Sequence, residues 1–466
     1  MKTKTLLLVL SCLLLFSVAG QMQATATAFA QRIDAEPTAP FESSIDLAVA
    51  ADFFAKTQAI WDEDGGKLWG FPLHAPLMFA DPVTRHAVTN MPDPGGVLQK
   101  QGSVYVGVLP DNVFISATAA NFSGLRWGMV PWYWMDLERL DNETIILRLL
   151  THEAFHAIQS QIISGNHPGT PRLEHVNNLD ARISIILEMN ALMTAARGSG
   201  DLRIAAIKDA LSIRKDRRER FPGVDKTEII IELDEGLAVF TDLMLVRRDM
   251  DEILSILEGQ IRAFDNTSLT IFGYQSGALY GLILDKVGAD WKNGITYSTD
   301  LGNLLQQHLG ITELTPFEQL NLEPYGYSRI VPVQRAWVEN FENRRAGARE
   351  ALLNQPTLFL VTDHTENSEI REFEFFLLPT DGTPMGHLLV SYGHLTVNSV
   401  NWSLRLRGGY MHRVFRPNGI WVGSAIDIEV SEDKSRAVSP TWELIITDDN
   451  YTIETLPDGL IEIVRK

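Results

Sequence analysis

The chain has 466 residues, 45% hydrophobic and 21% charged, which is too long for one typical domain and excludes both a disordered chain and a multi-pass membrane protein. Its formal net charge of -19 at pH 7 has the wrong sign for a general nucleic-acid or anionic-membrane binder. The nearest thing to a basic patch, Arg214-Lys215-Asp216-Arg217-Arg218-Glu219-Arg220, interleaves acids with bases and reads as a solvated helix end.

Residues 1–30 read as an export signal. Lys2 and Lys4 precede the apolar run Leu6 to Val18, and small residues follow at Ala19-Gly20 and in Ala-x-Ala triplets from Ala24 to Ala30. The run is too short to span a membrane. Lipidation at Cys12 is disfavoured because the apolar segment continues past it. Cys12 is the single cysteine, so the processed chain would carry no thiol, disulfide or cysteine metal ligand. The expected location is a bacterial periplasm or the extracellular medium, with no membrane span in the mature chain.

Residues 31–140 read as a mixed α/β portion. A helix over Ile45 to Ile60 is followed by short strand-like pieces. Val104 to Val108 and Val113 to Ser116 flank the turn residues Leu109-Pro110-Asp111-Asn112 and predict a hairpin. Trp127, Trp132 and Trp134 crowd the next segment, where core packing explains them better than a binding groove does. Over residues 141–355 the apolar period is helical. Asp141 or Asn142 would cap a helix to about Ile163; others are expected from Asp180 to Gly198, Leu202 to Arg220, Thr227 to Arg248 and Ser276 to Val287. Residues 356–466 alternate short strands, from Thr357–Val361 to Trp442–Ile446, with turn residues, which predicts an antiparallel β sandwich or barrel. The fold class is α+β.

One motif carries chemistry. Thr151-His152-Glu153-Ala154-Phe155-His156 places an H-E-x-x-H sequence inside the first helix of the helical part. Positions i and i+4 share a helix face, so His152 and His156 point at one ion, and Glu153, about 100° round, reaches a water beside it. The flanking Leu149, Leu150, Ala157 and Ile158 bury this helix, and two unpaired imidazoles there would be expensive.

These residues resemble the zincin metallopeptidases. With no H-x-x-G-x-x-H extension nearby, the resemblance points to the gluzincin branch, whose third zinc ligand is a downstream glutamate. It implies a mainly helical zincin-like catalytic domain, Zn2+ as cofactor and a peptide or protein substrate. Two glutamates qualify as the ligand. Glu235, in Asp234-Glu235-Gly236-Leu237-Ala238, is similar to the E-G-x-A helix of the alanyl aminopeptidases; Glu188, in Glu188-Met189-Asn190-Ala191, is the alternative. Tyr274-Gln275-Ser276-Gly277-Ala278 resembles their Y-x-x-G-A segment, whose tyrosine stabilises the oxyanion. Tyr280 is a rival for that role, more simply read as core. The 78 residues between His156 and Glu235 exceed the aminopeptidase spacing, and no G-x-M-E-N motif precedes the metal helix, so exopeptidase specificity is not implied. With Glu235 as ligand, Glu188 would support a zinc-bound histidine or face substrate.

His167 and His175, in the polar loop after the metal helix, are candidate substrate contacts. Asp180 reads as a helix cap and Asp242 as a partner for a ligand histidine. The expected activity is peptide-bond hydrolysis with Glu153 as general base. A binding or structural protein on the same scaffold, and a zinc hydrolase of a non-peptide amide or ester, are the alternatives. The C-terminal β module is a candidate surface for a cell-envelope partner.

Overall fold

The computed structural model describes residues 42–466 except 82–83, 111–112, 114, 116–117, 133–134, 136–142, 170–172, 248, 355–356, 362–366, 379–386, 399–401, 415–419, 425–427, 440–441 and 456–460. The leader and the predicted cap residues Asp141 and Asn142 lie outside the described residues. The chain divides between Arg335 and Ala336 into two compact units. The first joins, across the expected 140/141 boundary, described residues up to Arg335 around a core that runs from Ile45 through Phe79, Leu150 and Leu243 to Ile330; the division falls inside the expected 141–355 part and not at its end.

Helix α1 (Leu47–Asp64) begins at Asp46, whose carboxylate accepts from the N–H groups of Ala48 and Val49, and stops at a left-handed Gly65. A mixed sheet follows. Its strands are β1 (Leu77–Ala80), β2 (His86–Thr89), β3 (Gln99–Gln101), β4 (Val104–Val108), β5 (Thr118–Phe122) and β6 (Leu125–Pro131), in the order β3-β4-β2-β1-β6-β5. All neighbours are antiparallel except β1 and β6. Among the described residues the predicted hairpin through Leu109 to Asn112 is not seen. Both edges of β4 are taken by β3 and β2, and the described Val113 and Ile115 belong to no strand. The turn that does form joins β3 to β4 at Gly102, with a φ of 61° that suits glycine. Trp127 is fully buried and Trp132 packs edge-on to Phe79, so both are core; Trp134 lies outside the described residues.

The helices are α2 (Glu143–Ile162), α3 (Leu179–Arg197), α4 (Gly200–Arg220), α5 (Val224–Ile231), α6 (Leu237–Val246), α7 (Met250–Ala263), α8 (Phe272–Lys286), α9 (Leu301–His308) and α10 (Tyr327–Asn354). Strand β6 meets α2 backbone to backbone: a Cβ on Gly128 would lie 2.6 Å from the Glu153 carbonyl. The single helix predicted from Thr227 to Arg248 is instead α5 and α6 joined by a π-helical turn, Glu232–Gly236. A π turn changes the facing of the residues that follow it. Glu228 and Glu232 thereby meet α4, while Glu235 and Asp242 meet α2.

In the second unit, β7 (Thr357–Val361), β8 (Asn367–Leu378), β9 (His387–Asn398), β10 (Trp402–Val414), β11 (Ile420–Ser424), β12 (Glu429–Val430), β13 (Arg436–Ser439) and β14 (Trp442–Ile446) form an antiparallel sheet. Strands β15 (Tyr451–Thr455) and β16 (Ile461–Arg465) form a separate ribbon. Strand β10 takes β9 along one edge and β14 then β11 along the other. The strands are longer than predicted, 12 or 13 residues in β8 to β10, and among the described residues no pairing closes the sheet into a barrel. Among the described residues no helix is long and apolar enough to cross a membrane.

Candidate metal centre

Helix α2 is buried almost all round, including Arg148, Thr151, His152, Glu153, His156 and Gln159. Polar groups in such a place need partners. One helical turn separates His152 from His156, and the π turn delivers Glu235 to both. Nε2 of His152, Nε2 of His156 and Oε2 of Glu235 form a near-equilateral triangle with sides of 3.2, 3.2 and 3.3 Å. Zinc bonds of about 2.0 Å in a tetrahedron give ligand–ligand edges of about 3.3 Å, so these three atoms are spaced to share one ion. Among the described residues they are the one group of three such side chains that close together.

Two glycines make this approach possible. A Cβ on Gly236 would fall 2.5 Å from the Gly273 carbonyl oxygen, and one on Gly277 would fall 2.4 Å from the Glu232 carbonyl oxygen. The π turn and α8 therefore touch through backbone, which brings Glu235 and Tyr274 to the same place. The Tyr274 ring lies parallel to the His152 ring within 3°, at 6.2 Å, and its hydroxyl donates to Glu235.

The electrostatics follow from burial. Burial opposes the charge of Glu235, but the charge of His156 and the hydrogen bonds of both imidazoles outweigh it and hold the carboxyl well below the usual range. Burial likewise opposes protonation of His152, but hydrogen bonds to Asp242 and Glu235 and the charge of Glu153 raise its pKa to about 10 in the metal-free protein. His156 is raised too, against burial, by Glu235. Glu153 behaves differently. Burial, with the Glu235 charge added, exceeds the pull of the two imidazoles and lifts it to about 7. Neither of its oxygens has a hydrogen-bond partner among the described residues. Burial and the Glu235 carboxylate push the Tyr274 phenol well above its ordinary value.

Each imidazole is steered from behind. His152 Nδ1 faces Asp242 Oδ2 at 3.5 Å, and Asp242 Oδ1 is held by Arg148 at 2.6 Å, so Asp242 has the partner role expected of it. His156 Nδ1 meets Gln159 Oε1 at 3.2 Å, and Gln159 donates to Asp234 at 2.5 Å. Asp234 Oδ2 in turn lies 3.2 Å from His167 Nε2. A small cavity bounded by Ile145, Leu149, Val239 and Ile271 opens beside His152 and Tyr274.

The structure does not bring Glu188 to the histidines. Its carboxylate accepts from the Tyr280 hydroxyl at 2.7 Å and Arg214 at 3.1 Å, and forms an ion pair with Arg217 at 2.5 Å. Tyr280 is thus core, as expected. Arg214 also clasps Glu232 through two bonds of 2.7 and 2.6 Å; Arg217 and Arg218 hold Glu228, and Arg218 reaches Asp300. Within the stretch that reads as a solvated helix end, Arg214 and Arg217 are therefore buried, because α4 is faced by four carboxylates from neighbouring segments, while Lys215, Glu219 and Arg220 are exposed. Ser276 donates to Glu232 at 2.8 Å. Glu232 opens the π turn, so this cluster anchors the turn that carries Glu235.

Two further expectations are corrected. His175 is buried, 3.1 Å from Glu228. Asp180 is not the cap of α3; the Asn178 side chain accepts from the N–H groups of Asp180 and Ala181, and Asp180 occupies the first turn. Sequence reasoning missed Gln159, Asp234 and Arg148. The available signal was polar residues on an otherwise apolar helix, within a turn of a histidine, and an acid adjoining Glu235. Compared with known protein families, curated proteins and solved structures, the chain matches none.

Proposed function

We propose that this chain is an exported zinc metallopeptidase of gluzincin type that hydrolyses peptide bonds. The observation that carries the proposal is the 3.2–3.3 Å triangle of His152, His156 and Glu235 with the unpartnered Glu153 carboxylate beside it. His152, His156 and Glu235 would hold the ion, which when bound supplies Lewis acidity toward water and a substrate carbonyl. Glu153 accepts the proton of the attacking water and then gives it to the leaving amine, two tasks open to a buried carboxyl with no hydrogen-bond partner among the described residues. The Tyr274 phenol, held in its protonated form, donates to the developing oxyanion, worth on the order of 3 kcal/mol. Asp242 and Gln159 orient the two imidazoles.

A site that only braced the fold would account for three ligands but has no use for a fourth buried acid without a partner, which weighs against the structural alternative. A non-peptide amide or ester would use the same groups, and substrate profiling separates the two. The leader argues for export to the periplasm or medium, and the C-terminal unit is a candidate surface for a cell-envelope partner. Metal analysis of the purified mature chain tests the reading: one zinc per chain is expected, retained in Glu188→Gln and lost in Glu235→Ala. A wild-type protein that takes up no zinc overturns it.

A further inference from the structure

We infer that His167 is a positioning residue for the metal centre, acting on His156 through Asp234 and Gln159; the inference rests on the zinc reading above. The carboxamide of Gln159 has one accepting end and one donating end. The Asp234 carboxylate accepts, so Gln159 turns its NH2 toward Oδ1, at 2.5 Å. That leaves the Gln159 oxygen for His156 Nδ1, at 3.2 Å, and this nitrogen must then carry the ring hydrogen. His156 Nε2 keeps its lone pair, and it is this atom that faces the triangle. The tautomer a metal needs is thus set by the direction in which the Gln159 amide is held.

What holds that direction is Asp234, and its second oxygen lies 3.2 Å from His167 Nε2, within ion-pair reach. The contact differs in kind from the support behind His152. There the chain ends inside the protein at Arg148, whereas here it ends on an exposed loop residue. The loop is fastened at its start by Ser164, whose N–H and hydroxyl both reach the Ile295 carbonyl at 2.8 and 3.1 Å. The His167 ring then packs edge-on against Tyr297 with centroids 5.0 Å apart. Four segments, the metal helix, the π turn, this loop and the 295–297 segment, therefore converge on the orientation of one imidazole. Without His167, Asp234 loses one of its two restraints, Gln159 is free to rotate, and the His156 Nδ1–H loses its fixed acceptor.

Outer partners of this kind are typically worth 10–100-fold in metal affinity. The test measures zinc affinity of the full mature chain by competition with a chromophoric chelator, beside the visible absorption spectrum of the cobalt-substituted protein. His167→Ala is expected to bind zinc about tenfold more weakly and to alter the cobalt spectrum, whereas His167→Gln, which keeps an N–H donor for Asp234, restores both. Gln159→Leu, which removes the link itself, is expected to weaken zinc at least as much, and His167, being exposed, is replaceable without threat to folding. Wild-type affinity and spectrum in both His167→Ala and Gln159→Leu would overturn the inference and leave the metallopeptidase reading standing. A wild-type chain that binds no zinc would overturn both.

Discussion

Replacing Gly277 by alanine tests how the centre is assembled. The new Cβ would lie 2.4 Å from the Glu232 carbonyl oxygen and 2.8 Å from the Gly236 Cα, both backbone atoms that cannot swing away. Ordinary carbon contacts begin near 3.5 Å, so α8 and the π turn must part by about 1 Å. Overpacking of this kind costs roughly 1–3 kcal/mol. The larger effect is local. Glu235 lies between Glu232 and Gly236, and a metal site tolerates only about 0.2 Å of error in ligand distance. Gly277→Ala is therefore expected to lower the stability of the metal-free chain by 1–3 kcal/mol and to weaken zinc by tenfold or more. Urea unfolding in the presence of EDTA gives the first quantity and chelator competition the second. A variant within about 0.5 kcal/mol of wild type that binds zinc equally well would refute the claim that helix proximity sets the ligand geometry.

Other expectations follow from the same contacts. Glu188→Ala takes one carboxylate from Arg214 and Arg217, which keep Glu232 and Glu228, and should cost about 1–3 kcal/mol, yet leave the zinc stoichiometry of the folded fraction unchanged, which thermal unfolding and metal analysis together will show. Asp300 is held at about 2, burial being outweighed by Arg214 and Arg218; a lowered pKa gives stability that is present above the unfolded value of 3.8 and lost as pH falls toward 2. On that basis it gives up about 1 kcal/mol between pH 5 and pH 3, and denaturant titrations of Asp300→Asn should lack that increment. Arg148→Met leaves Asp242 without its cation and should weaken zinc through His152 by roughly 10–100-fold, read again by chelator competition; unchanged affinity would show that Asp242 does not orient the ring.

The local part of the site was legible because helix geometry is local: the four-position spacing of His152 and His156 puts them on one face, and the apolar flanks show that the helix is buried. The choice between Glu235 and Glu188 was not legible, since both lie on helices with similar neighbours. What separates them in the fold is tertiary charge: three arginines of α4 hold Glu188, Glu228 and Glu232, and of these four glutamates Glu235 alone is turned toward the α2 histidines. The π turn that does the turning leaves no mark in hydrophobic period, so Thr227 to Arg248 reads as one helix. The same blindness placed Arg214 and Arg217 in solvent, because a sequence does not reveal that acids from other segments lie opposite them. The false hairpin after β4 failed for a related reason. Its turn residues were suitable, but β2, from earlier in the chain, already occupied the edge that the second arm required.

The central claim is that Glu153 acts as the general base beside a bound zinc. Cleavage of a mixed peptide library by the zinc-loaded mature chain, read by mass spectrometry beside zinc-loaded Glu153→Gln, tests it most directly. Cleavage by the wild type, with loss of several orders of magnitude in the variant at equal zinc content, is the expected result. Equal cleavage by both proteins, or none by either with zinc confirmed bound, would contradict it.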